Sequence, residues 1–168
     1  MNMFRRTVIV AALIAGLVPA AFAQLSSTDK TFVMKAAKAN NYEIEAAKLA
    51  EKNSNNDAYK SYAEMIISDH TKAGDQLKSA VAQADPSMQL PTGVSAKGQE
   101  HLDALARAGN NFDITYRDQM IATHVAALKL FQNYVGQSGV NAQVKQVAQG
   151  LLPVFHKHLT DATKLPKQ

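Results

Sequence analysis

Residues 112–131 read FDITYRDQMIATHVAALKLF, and this stretch decides the fold class. Its apolar side chains recur every three or four residues, which is the period of an amphipathic helix. Projection at about 100° per residue places Met120, Leu128 and Phe131 on one face, and that face also carries His124. The stretch therefore predicts a core-facing helix with an ionisable residue inside its apolar stripe.

Three other long segments have the same period, and a shorter helix is predicted over residues 99–108, ending at Gly109. The long helices are expected from about Asp29 to Lys52, from a cap at Asn55 or Asn56 to Ala84, from near Asn111 to Val135, and from about Asn141 to Lys164. Two connections are tight, whereas the one between the second and third long helices contains two prolines and the short helix. This pattern predicts an all-α, ferritin-like four-helix bundle with one long crossover.

The chain begins with MNMFRRTVIVAALIAGLVPAAFA, in which two arginines precede a short apolar run and Ala21-Phe22-Ala23 follows it. This order is typical of a secretory signal peptide, and the run is too short for a membrane span. We expect cleavage after Ala23, a single domain over residues 24–168, and a periplasmic location. The sequence contains no cysteine, so it offers neither a lipid-anchor site nor a disulfide.

The charge balance of the expected mature chain argues against a nucleic-acid partner. Removing the two arginines of the signal from the 18 basic side chains leaves 16, against 14 acidic ones, for a net charge of +2.

No serine or cysteine nucleophile arrangement and no glycine-rich phosphate loop occurs, so an enzyme is the least favoured class. An envelope protein or the cell wall stays open as a partner, and the sequence does not determine the oligomeric state.

Each long helix carries one ionisable residue in its apolar stripe: Glu43, His70, His124 and His158. A rise of about 1.5 Å per residue brings all four near the middle of the bundle. Three imidazoles and a carboxylate suit a divalent ion such as zinc, iron, manganese or copper, so these four residues are the candidate metal ligands.

Two carboxylates are candidates for orienting the imidazoles through hydrogen bonds from outside the ligand set. Asp69 and Asp161 are the candidate acceptors for the imidazoles, although a solvated position is the default for each of them. Two interpretations of the polar layer stay open. Its members share a metal ion, or they form a metal-free hydrogen-bonded network that specifies the helix register.

The chain resembles a known family in four motifs: FVMKAAKANNYEIEAAKLAEKNS (32–54), YAEMIISDHTKA (62–73), FDITYRDQMIATHVAALKLFQ (112–132) and LLPVFHKHL (151–159). They are similar to the bacterial exported domain-of-unknown-function 4142 family, whose members are often labelled putative outer membrane proteins. The resemblance implies a ferritin-like fold and no established activity. Ferritin-like di-iron centres use Glu-x-x-His motifs, and this chain has none, so such a centre is a poor fit.

Two functional hypotheses follow. The first is a periplasmic bundle that binds a divalent metal in its core and takes part in the response to metal or oxidative stress. The alternative is a non-enzymatic structural or interaction protein of the envelope, with a metal-free His/Glu network in its core.

Overall fold

The computed structural model describes residues 24–167, and the predicted signal peptide lies outside them. These residues form five α-helices, which are α1 (Ser27–Asn53), α2 (Asp57–Ala84), α3 (Ala96–Ala106), α4 (Phe112–Val135) and α5 (Ala142–Lys164), with a 3-10 turn at Gly109–Asn111. No strand occurs in the described part of the chain. The predicted all-helical bundle is therefore confirmed, including the short helix in the crossover.

Side-chain caps explain where four of the five helices begin. Ser26 and Asp29 form a reciprocal capping box, so α1 begins two residues before the predicted start. Asn56, one of the two predicted caps, and Asn141 accept hydrogen bonds from the first turns of α2 and α5. Ser95 caps α3, which begins at Ala96 rather than at residue 99, because its hydroxyl accepts from the amide of Gly98.

Contacts at the helix ends define the topology. At one end of the bundle, Lys30 of α1 pairs with Asp85 beyond α2 at 3.1 Å, so these two helices are antiparallel. At the other end, the rings of Tyr59 in α2 and Tyr116 in α4 lie 6.5 Å apart, so α2 and α4 begin at the same end of the bundle and run parallel. Residues 85–111 must therefore cross the length of the bundle, and α3 packs against α1 and α4 on the way.

The apolar core is divided into two clusters. One cluster includes Phe32, Leu77 and Phe131, and the other includes Tyr59 and Met120 with their neighbours. Along α2, α4 and α5, the histidine of the stripe falls between the two clusters, whereas Glu43 of α1 directly follows Tyr42, which belongs to the second cluster. The fold thus places a polar layer across the middle of an otherwise apolar core.

Among residues 24–167, none of the helices combines the length and the apolar character that a membrane span requires.

Candidate metal centre

The polar layer brings three histidines from three helices into contact. His70, His124 and His158 are 4%, 1% and 0% exposed, and one ring nitrogen from each lies within 4.8 Å of the other two. Each histidine lies on the same helix face as the apolar residues one turn away. Because that face packs into the core, the histidine is buried with them. The three histidines could therefore hold one metal ion between them.

The ring of His124 is oriented by its own helix. Its Nδ1 lies 2.8 Å from the carbonyl oxygen of Met120, one turn earlier in α4. A carbonyl oxygen only accepts hydrogen bonds, so Nδ1 carries the proton and donates it. In the neutral ring, the Nε2 of His124 is therefore left with a free lone pair.

His158 has the opposite tautomer. Its Nε2 lies 3.1 Å from Oδ2 of Asp69, and a carboxylate accepts from it, so Nε2 carries the proton. The Nδ1 of His158 then has the free lone pair, and it lies 3.3 Å from the Nε2 of His124. In their neutral forms, these two rings direct lone pairs at each other.

His70 follows the same pattern through a residue that the sequence analysis did not single out. Its Nδ1 donates to Oδ1 of Asn40 at 3.0 Å, and its Nε2 is buried with no hydrogen-bond partner. Asn40 lies on α1 three residues before Glu43, so the two share one helix face. This spacing is the sequence feature that could have identified Asn40. All three rings thus donate outward to a protein oxygen and leave the second nitrogen bare, as metal-ligating histidines do.

The surroundings favour the neutral, ligand-competent form of two of these rings. Burial lowers the pKa of His70 well below its usual value, and the neighbouring His124 and His158 lower it further. Burial also lowers the pKa of His158, although the hydrogen bond to Asp69 acts in the opposite direction. Neutral imidazole is the form that binds a metal, so no proton has to leave these rings near neutral pH.

Glu43 lies beside the three histidines rather than among them. Its Oε1 is 3.9 Å from Nδ1 of His124, the ring nitrogen that does not face His158, and its Oε2 is buried without a hydrogen-bond partner. Burial raises the pKa of Glu43, and the nearby His124 and Thr123 offset only part of that effect. Direct coordination by Glu43 stays a prediction, because the carboxylate is outside the group of side chains that could share one ion.

The two predicted acceptors have different surroundings. The side chain of Asp69 is 31% exposed, and its Oδ2 accepts a hydrogen bond from the Nε2–H of His158. Asp69 is therefore not a purely solvated surface residue. Asp161 contacts Lys157 and Lys164 at 2.7 and 3.3 Å, one turn away on each side. Those two lysines are exposed on the same helix face, so Asp161 has the surface position that is the default for an acid in the last turn.

Together, these features define an all-helical bundle whose core contains a buried cluster of three histidines with outer oxygen acceptors. The chain belongs to the family described as Domain of unknown function (DUF4142), which matches residues 16–165. The resemblance drawn from the four sequence motifs is therefore confirmed. No curated protein and no solved structure matches the chain.

Proposed function

We propose that this protein binds one divalent transition-metal ion through His70, His124 and His158. The observation that carries the proposal is the convergence of three ring nitrogens within 4.8 Å of one another. Each of these rings donates its N–H to a fixed oxygen outside the cluster, on Asn40, Met120 or Asp69. The second nitrogen of each ring is thus the one available to an ion.

A metal-free hydrogen-bonded network fits this geometry less well. Such a network needs a proton between His124 Nε2 and His158 Nδ1, which are 3.3 Å apart, but in the neutral rings the N–H of each imidazole donates elsewhere. The buried Nε2 of His70 would also stay without a partner, at a cost of about 1–3 kcal/mol. A single cation accepts all three lone pairs at once.

The donor set favours zinc or copper over manganese. Imidazole nitrogens suit zinc, copper and iron, whereas manganese prefers oxygen ligands. Nitrogens bound to a tetrahedral zinc ion at about 2.1 Å lie about 3.4 Å from one another. The pair formed by His124 and His158 already has that spacing, so only His70 has to approach. Three protein ligands also leave one coordination position for an exchangeable ligand, unlike most structural zinc sites.

The cellular part of the proposal depends on the N-terminal sequence. Two arginines, a short apolar run and Ala21-Phe22-Ala23 support export to the periplasm, with residues 24–168 as the mature protein. An exported protein with an open metal position is suited to binding metal during metal or oxidative stress. Fractionation of cells that express the full chain, with N-terminal sequencing of the product, tests the export and the cleavage after Ala23.

Elemental analysis tests the metal site. The protein comprising residues 24–168 is purified, equilibrated separately with zinc, copper, iron and manganese, dialysed, and analysed for bound metal. We expect about one equivalent of zinc or copper in the wild type and a clear loss in His70→Ala, His124→Ala and His158→Ala. His156→Ala is the matched control, because His156 is exposed on α5 only two residues from His158. Less than stoichiometric metal with all four ions would contradict the proposal and favour the metal-free network.

A further inference from the structure

A cavity of about 360 Å³ lies beside the histidine layer, between α1 and α4. His70, His124 and Glu43 form part of its lining, whereas the deeper His158 does not. Exposed alanines, Ala39 on α1 and Ala126 on α4, are at its mouth. The cavity therefore connects the solvent with the centre of the bundle.

The sequence leaves this space open by using small residues on the facing sides of α1, α2 and α4. Ala36, Ala39, Ala73 and Ala127 line the cavity at core-facing or mouth positions where bundles commonly carry larger apolar side chains. Leucine and phenylalanine side chains complete the wall further in, and Phe155 is the ring stacked against His70. The wall is thus apolar almost everywhere except at the histidine layer.

The rim of the cavity carries an unbalanced positive charge. Lys35 and Lys38 on α1 and Lys97 on α3 line it, and none of them makes an ion pair or hydrogen bond with another described residue. The one carboxylate in the lining is Glu43, which is buried at the histidine layer, away from the exposed rim. Three cations beside a low-dielectric cleft attract anions and hold them at its entrance.

We propose that this cavity binds a small organic acid, with its apolar body inside and its carboxylate at the lysine rim. An engineered apolar cavity of about 150 Å³ binds benzene, so about 360 Å³ accommodates roughly one substituted ring or a medium-length alkyl chain. The carboxylate stays at the rim because its burial without a partner is costly, and the three lysines neutralise it there. This binding does not depend on a metal ion in the histidine cluster.

Titration of three ligands with the same tail tests the head-group preference. Chelator-treated protein comprising residues 24–168 is titrated calorimetrically with octanoate, octanol and octylamine below their micelle concentrations. We expect saturable one-to-one binding of octanoate, weaker binding of octanol, and binding of octylamine at least tenfold weaker than that of octanoate. Octylamine binding as tightly as octanoate, or no saturable binding of octanoate, would overturn the proposal.

Variants then separate the rim from the cavity. Replacement of Lys35, Lys38 and Lys97 by glutamine should weaken octanoate binding to the level of octanol and leave octanol unchanged. Lys129→Gln, an exposed lysine of α4 outside the lining, is the control and should change neither ligand. An undiminished preference for octanoate in the triple variant would contradict the role of the rim.

Filling the cavity tests its role directly. Ala127→Phe should abolish the binding of all three ligands. Ala39→Leu, at the exposed mouth, should weaken all three and is the fallback if the first variant does not fold. Unchanged octanoate affinity in a folded cavity-filling variant would show that the acid binds elsewhere and would overturn the proposal. Because the protein is metal-free throughout, this result is independent of the metal analysis.

Discussion

The Nε2 of His124 and the Nδ1 of His158 lie 3.3 Å apart, and neither nitrogen has a proton in the neutral ring. The Nδ1–H of His124 donates a hydrogen bond to the Met120 carbonyl, and the Nε2–H of His158 donates one to Asp69. Protonation of His158 would restore a hydrogen bond between the rings, but burial lowers the pKa of that imidazole. A shared cation resolves the opposition of the two lone pairs without any proton.

Metal binding should stabilise the fold measurably. At a free zinc concentration about 100-fold above the dissociation constant, the free energy of unfolding should rise by about 2.7 kcal/mol. The same addition should produce little stabilisation in His158→Ala, whereas His156→Ala should respond like the wild type. Thermal unfolding followed by circular dichroism checks this. An equal shift in all three proteins would mean that zinc binds outside the cluster.

Removal of Asp69 should weaken metal binding without removing a ligand. Asp69 accepts a hydrogen bond from the Nε2–H of His158 and so stabilises the tautomer that leaves Nδ1 free. Loss of such an outer acceptor typically lowers metal affinity about 10–100-fold, and we expect Asp69→Ala to fall in that range. Asp161→Ala is the matched control, because Asp161 pairs with surface lysines only. Competition with a chromogenic chelator measures both affinities, and equal affinities would contradict the assigned role.

Glu43→Gln distinguishes a coordinating carboxylate from a neighbouring one. Because burial raises the pKa of Glu43, its ionisation costs stability as the pH rises above the unfolded value of about 4.3. In the absence of metal, the variant should therefore be more stable than the wild type at pH 8, with a smaller difference at pH 5. After equilibration with metal, the variant should still bind one equivalent. Urea denaturation and elemental analysis measure the two properties. Glu45→Gln, on the exposed face of α1, is the control, and loss of metal from Glu43→Gln would show that the carboxylate is a ligand.

The metal-free protein should lose stability in mild acid. The folded-state pKa values of His70 and His158 are lowered, so the unfolded chain binds more protons once the pH falls below about 6.5. Stability should therefore decrease from pH 7.5 to pH 5.5. The measurement is cleanest in Glu43→Gln, because Glu43 contributes with the opposite sign. A free energy of unfolding that is constant or rises over this range would contradict neutral buried imidazoles.

Tyr134→Phe should loosen the end of the bundle where α1 begins and α4 ends. The hydroxyl of Tyr134 donates to Oδ1 of Asp29, which is 1% exposed and also accepts from the amide of Asn141. Loss of a hydrogen bond to a charged group costs about 1.5–3 kcal/mol. Urea denaturation at pH 7 measures the loss, and metal content should stay unchanged because the site is at mid-height. A stability within 0.5 kcal/mol of the wild type, on the order of a neutral surface substitution, would contradict this role.

Much of the fold could be predicted because helix period and caps are local properties. Asn56, one of the two predicted caps of α2, caps the turn directly after it, whereas Asn141 was predicted only as the approximate start of its helix. The start of α3 was placed three residues late, because the cap at Ser95 lies within the proline-containing connection and has no periodic segment before it. Helix period also placed His70, His124 and His158 on the apolar stripes. The hydrogen-bond partner of each ring could not be predicted in this way, because it depends on how the helices pack.

The sequence by itself determined that four long helices form and that each turns one ionisable residue inward, because a period of 3.6 residues assigns every side chain to a helix face. Only the tertiary structure decided that three histidines meet while Glu43 lies to one side, and that Asn40 and Asp69 accept hydrogen bonds from the outer N–H groups of His70 and His158. A helical height argument tolerates an error of about one turn, or 5.4 Å. Hydrogen bonds and metal ligation depend on a few tenths of an ångström and on side-chain rotamers, which are set when neighbouring helices pack.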